Sequence, residues 1–198
     1  MEVQIKKSDR RVKRSLRLLK QAFIELLQER GFAATSIQDI TDRAEVNRGT
    51  FYAHFPDKYA LLDVIVREQF QQYLASKLPP TARWDRNNLR SLILAVLIYS
   101  REASFCPPRE MIDPLVRRAM QDELAELLLQ WLKQVPVTKT AWRVPIEIMA
   151  SMISCAILGT VARWCREERA LSAEQMTNHI LTVITEGVTH LPPDGLPE

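Results

Sequence analysis

Cysteine, histidine and glycine are all scarce in this chain, and each scarcity closes a class of function. The three cysteines, Cys106, Cys155 and Cys165, are too few and too widely spaced for a disulfide scaffold or a zinc site. The three histidines, His54, His179 and His190, share no metal-ligand spacing, so no metal site is expected. Five glycines leave no Gly-rich loop to cradle a phosphate, and no cofactor is expected. No nucleophile–base pair can be drawn, so no catalytic residue is assigned and an enzyme is not expected. No uninterrupted apolar run approaches the ~18 residues that a membrane span requires. The opening MEVQIKKSDRRVKRS also lacks the apolar segment of a secretory signal. The expectation is a cytoplasmic protein with no membrane partner.

What is present is an uneven charge. The net charge of the whole chain is +3, yet the first twenty residues hold Lys6, Lys7, Arg10, Arg11, Lys13, Arg14, Arg17 and Lys20 against only Glu2 and Asp9. A basic head on a near-neutral body suits a polyanion partner at one end, or is simply a solvated charged tail.

Apolar spacing is helical almost throughout, which predicts an all-α fold of about nine helices. A first helix over Arg10–Arg30 carries Leu16, Leu19, Phe23, Leu26 and Leu27 as its stripe, with Gly31 placed as a C-cap. Thr35 or Ser36 is placed to N-cap a short second helix containing Ile37, Ile40 and Ala44. A break at Glu45-Val46-Asn47 leads to a third over Arg48–Phe55, and Pro56-Asp57 introduces a fourth over Lys58–Lys77. Further helices are predicted over Asn88–Ser104, Asp113–Lys133 and Pro145–Glu168. The last opens with Ser172 and Gln175 as a capping box.

Two short helices joined by a tight turn, braced by a preceding helix, are the elements of a helix-turn-helix DNA reader. Ile37, Ile40, Ala44, Val46, Phe51 and Phe55 supply the small and apolar residues its crossing needs. The third helix then keeps a polar outward face of Asn47, Arg48, Thr50, Tyr52 and His54, which suits base edges and phosphates in a major groove.

The run Gly31-Phe-Ala-Ala-Thr-Ser-Ile-Gln-Asp-Ile40, followed by Val46-Asn-Arg-Gly-Thr-Phe-Tyr-Ala-His-Phe-Pro-Asp-Lys-Tyr-Ala-Leu-Leu62, resembles the TetR family of bacterial transcriptional regulators. Glu45 stands where that family's turn often has glycine, and glutamate is compatible with a turn that avoids positive φ. The resemblance implies a helix-turn-helix DNA-binding domain with a basic N-terminal arm over 1–56, and a helical effector-binding and dimerisation domain over 57–198. It places Gln38, Arg48 and Thr50 near bases or adjacent backbone. It makes Tyr52, His54 and Lys58 phosphate clamps, and gives Thr35 or Ser36 the task of presenting the second helix's N-terminus to a phosphate. The implied partner is a pseudo-palindromic duplex operator, and the implied activity is repression relieved by a small-molecule effector. Control by a protein partner, or an architectural role without a small ligand, is the alternative.

In the body, the last two helices have broad apolar faces, and the resemblance implies that they pair with their copies in a homodimer. Ile153, Ile157, Gly159, Trp164, Ile180, Ile184 and Val188 are the expected interface. An effector space is expected among Phe70, Tyr73, Tyr99, Phe105, Met111, Trp131, Met149 and Met152. Aromatic and methionine stripes at helical spacing are also what an ordinary core looks like.

Overall fold

The computed structural model describes residues 2–102, 113–136, 142–166 and 171–187, with the side chains from residue 11 onward and from 114 onward in the first two segments. Among the described residues there are eight helices and no strand: α1 (Glu2–Arg30), α2 (Ile37–Arg43), α3 (Arg48–Tyr52), α4 (Lys58–Lys77), α5 (Arg86–Glu102), α6 (Asp113–Lys133), α7 (Ile146–Trp164) and α8 (Ala173–Glu186). They fall into two compact units. One comprises α1, α2, α3 and the first turns of α4 to Val66, with residues 113–116; the other comprises the described residues from 67 to 102 and from 117 onward. The first unit therefore continues past the expected boundary at residue 56. It does so because Leu61, Leu62 and Ile65 of α4 are buried core residues.

In the first unit, Leu19, Phe23, Leu26 and Leu27 are buried along one side of α1. Gly31, at φ 78°, closes the helix by donating its N–H to the Leu27 carbonyl at 3.0 Å, the left-handed C-terminal turn that glycine adopts without strain. Helix α1 begins at Glu2, well before the expected Arg10, because apolar spacing marks only the part of a helix that packs. Ser36, and not Thr35, is the N-cap of α2: it forms a capping box with Asp39. The α3 helix ends at Tyr52, with residues 53–55 continuing as turns bonded back to Gly49 and Phe51.

The turn between α2 and α3 departs from expectation. Glu45 has φ 54°, so the chain does take the left-handed conformation there. A Cβ in that region costs roughly 1–2 kcal/mol, partly offset in a glycine variant by greater freedom of the unfolded chain. Glu45→Gly is expected to raise the melting temperature by a few degrees. Calorimetry checks this, and a lower melting temperature would mean that the Glu45 side chain contributes more than its backbone costs.

In the second unit, α5 packs against α7 and α8, and α7 against α8. Leu92, Ile93, Val96, Leu124, Leu128, Ile157 and Val161 form its core. Asp85 caps α5 by accepting from the Asn88 N–H at 2.8 Å, so that helix starts at Arg86. The predicted Ser172–Gln175 capping box opens α8. Arg67 ties α4 to α6 through Asp122 at 2.8 Å and Glu123 at 3.2 Å. Helix α7 is long and apolar enough to cross a membrane by length and composition, although Ser151, Ser154 and Thr160 interrupt its apolar residues. Its inner face of Ala150, Ser154, Ile157, Leu158, Val161 and Trp164 is buried within the fold.

Candidate nucleic-acid interface

The reading head is built on Phe51. Its ring is fully buried and lies 5.8 Å from Phe55 and 5.6 Å, edge-on, from Tyr52. Burial of Ile40, Ala44, Phe51 and Phe55 fixes one side of α2 and α3, and helical geometry then leaves the opposite side of α3 to solvent. Arg48 and Asn47 are exposed and Thr50 and His54 half-buried. Tyr52 stands 49% exposed, so both its ring edge and its hydroxyl are available. Arg48 Nη2 donates to Tyr52 Oη at 3.3 Å, with the guanidinium 5.8 Å from the ring centroid. The pair is thereby arranged as one two-pronged group.

The start of α3 is equally constrained. Asn47 Oδ1 accepts from the Gly49 N–H at 2.7 Å. A Cβ on Gly49 would sit 3.1 Å from that oxygen, so a side chain there would crowd the cap. Gln38 is exposed on α2 and donates to Asp42 at 2.7 Å.

Two of the expected DNA contacts have partners inside the chain. Thr35 is buried and its hydroxyl donates to the Gly31 carbonyl at 2.8 Å; it fastens the turn between α1 and α2 and presents nothing outward. Lys58 Nζ donates to the carbonyls of Phe32 at 2.9 Å and Thr35 at 2.7 Å and lies 4.4 Å from the Phe32 ring centroid. It ties together two carbonyls of the turn between α1 and α2, which leaves one N–H for any other acceptor. Burial pushes its ammonium below the usual lysine range, while the charge of Asp39 draws it back up.

The bracing between α1 and α2 was not legible in the sequence. Arg43 forms two bonds to Glu29, at 2.8 and 2.7 Å, and a third to Glu25 at 3.3 Å. Arg30 pairs with Asp39 at 3.0 Å. Hydrogen bonds from Ser36, reinforced by Arg30, hold the Asp39 carboxyl at about 2, so the capping box stays ionised at any pH where DNA is a partner. These residues lie far apart in sequence, and no spacing rule connects them.

Among the expected effector residues, Phe70, Tyr73 and Tyr99 come together, with Tyr99 5.2 Å from Phe70 and 4.8 Å from Tyr73. The Tyr73 hydroxyl is buried with no hydrogen-bond partner among the described residues. Burial pushes both tyrosines above their ordinary range. Trp131 is buried and Met149 half-buried. Met152, at 65% exposed, lies on the outer face of α7, away from these. Phe105 and Met111 lie outside the described residues.

The expected dimer interface divides by helix register. Ile157, Trp164 and Ile180 are buried in the chain's own core, because α7 and α8 also cover α5. Trp164 in addition donates to the Leu171 carbonyl at 2.7 Å. Ile153 and Ile184 are half-buried and Gly159 is exposed. Val188 lies outside the described residues. The outward row on α7 is Ile148, Met152 and Ala156 with the expected Gly159, and Val183 is outward on α8. Ile148 and Val183 are 49% and 42% exposed.

A five-residue helix seated on a buried phenylalanine, capped by asparagine and offering an arginine–tyrosine pair, defines a helix-turn-helix head. Residues 19–65 match the model of the bacterial regulatory proteins of the tetR family. The helix-turn-helix-type regulator YxbF of Bacillus subtilis is 38% identical over 63 residues, 31% of this chain and 17% of the relative. The helix-turn-helix-type repressor KstR2 of Rhodococcus jostii is 25% identical over 182 residues, 82% of this chain and 85% of the relative. FadR of Thermus thermophilus, a repressor of the same family solved with lauroyl-CoA, shares the fold at TM-score 0.55 and 21% identity, over 94% of this chain and 100% of that one. Residues 19–65 thus carry a helix-turn-helix domain of the tetR type, and the chain resembles regulators of that family over most of its length.

Proposed function

We propose that this protein is a cytoplasmic, homodimeric transcriptional repressor that binds a pseudo-palindromic duplex through α3 and releases it when a small effector occupies the body. The observation that carries the reading is the face of α3, where Arg48 and Tyr52 stand outward while Phe51 anchors the helix from behind. Arginine pairs with a guanine edge, and tyrosine donates to phosphate. Repression is supported by the likeness to KstR2, whose name describes a repressor.

The orphaned Tyr73 hydroxyl supports the effector. A buried donor without a partner is costly, and a mostly apolar ligand with one polar atom reaching Tyr73 would satisfy it. Helix α4 carries Phe70 and Tyr73 and also Lys58, whose bonds hold the turn before α2. Occupancy would shift the helix between two settings, only one of which suits successive major grooves. Lauroyl-CoA, whose acyl chain and thioester carbonyl match that description while its charged CoA group would stay in water, is the first probe, chosen from the FadR complex.

Sequencing duplexes selected by the purified protein gives the operator. On it, Arg48→Ala is expected to lose about 1–3 kcal/mol, roughly 5- to 150-fold, and to relax base choice at one position per half-site. Failure to enrich any duplex overturns the function. Equal weakening on every sequence would make Arg48 a phosphate contact.

A further inference from the structure

We propose that the N-terminal part of α1 is a second duplex-binding surface, a helical rail that takes sequence-independent phosphate contacts beside the half-site read by α3. This rests on the DNA-binding reading above. Helix α1 does not begin where its core stripe begins. Its first buried residue is Leu19 among the described side chains, yet the helix backbone runs unbroken from Glu2. Residues 11–14 are exposed all round the helix, including Val12 on the side that continues the core stripe. Among the described residues nothing covers residues 11–14, so the core does not require them.

What the segment offers is charge. Arg11, Arg14 and Arg17 follow one another at three-residue intervals, each exposed, which sets them on one side of the helix about 4.5 Å apart along its axis. Among the described residues none of the three is held in an ion pair. Of the acidic residues of α2 and the end of α1, Glu25, Glu29 and Asp39 are engaged by Arg43 and Arg30, and Asp42 accepts from Gln38. From Glu2 to residue 18 the helix runs about 25 Å, the axial length of about seven phosphates on one strand. A membrane surface is the weaker match. An interfacial helix needs a broad apolar face, and Val12 is the single exposed large apolar side chain on the described part of α1.

The test uses the full-length protein and two labelled 40-base-pair duplexes, one of random sequence and one carrying the selected site, titrated by anisotropy across salt. Three phosphates per chain account for about 2.7 of the slope of log K against log salt. The variant R11Q/R14Q/R17Q is expected to lose that much slope per bound chain on both duplexes and to bind more than tenfold more weakly in low salt. Its preference for the selected site is expected to stay unchanged. Circular dichroism confirms that the helix persists, and R14Q alone is expected to give about one third of the effect. An unchanged slope overturns the rail while leaving the α3 reading intact. Wild-type protein that binds both duplexes alike overturns the α3 reading instead. Loss of binding to phosphatidylglycerol vesicles with no change on duplex would assign the surface to a membrane and overturn the proposal.

Discussion

Phe51→Ala is expected to melt the reading head and abolish duplex binding, although Phe51 itself touches no DNA in the proposed complex. Its ring is fully buried and meets Phe55 and Tyr52. Truncating such a residue costs about 3–5 kcal/mol, against a total of about 5–15 kcal/mol for a typical domain. A small unit lies toward the low end of that range. The loss corresponds to a fall in melting temperature on the order of 15 °C or more for the head. Tyr52→Phe is the control: its hydroxyl is on the exposed side, so the fold is expected to stand while all duplexes bind more weakly. Thermal melts of the two variants, followed by anisotropy, check the pair. A Phe51→Ala protein that melts with the wild type would show that α3 is anchored by other residues.

Gly159→Trp and Met152→Asp are expected to leave the chain folded and break the proposed dimer. A Cβ built on Gly159 meets nothing within 4 Å, and Met152 is 65% exposed, so neither change disturbs the chain's own packing. In a twofold seam each appears twice. Two overpacked tryptophans cost roughly 2–6 kcal/mol, and two aspartates buried without partners at least as much. Sedimentation is expected to show dimeric wild type and monomeric variants with unchanged circular dichroism. Operator affinity should fall by roughly a hundredfold or more as two linked half-sites become independent. Variants that remain dimeric with full affinity would move the twofold contact off α7 and α8.

The same residues show how far sequence reasoning reaches. The helices and most of their ends were legible because caps and stripes act locally: Gly31, the Ser172–Gln175 box and the α1 stripe each need only neighbours within a turn or two. The reading face was legible for a related reason. Once Phe51 and Phe55 are assigned to the interior, the 100° step of a helix places Arg48 and Tyr52 outside.

Sequence by itself thus determined an all-helical chain, a helix-turn-helix head and the polar face of α3, through periodicity and the spacing of short-range contacts. Tertiary structure decided what depends on partners distant in the chain. It turned Thr35 and Lys58 inward onto carbonyls. It set Glu45 at φ 54°. It joined Arg43 to Glu25 and Glu29 across two helices. It also divided α7 between an inner face holding Ile157 and Trp164 and an outer one holding Met152 and Gly159. An apolar helix with two usable sides carries no mark in its sequence of which side its own fold will take, because that choice belongs to the helices packed against it.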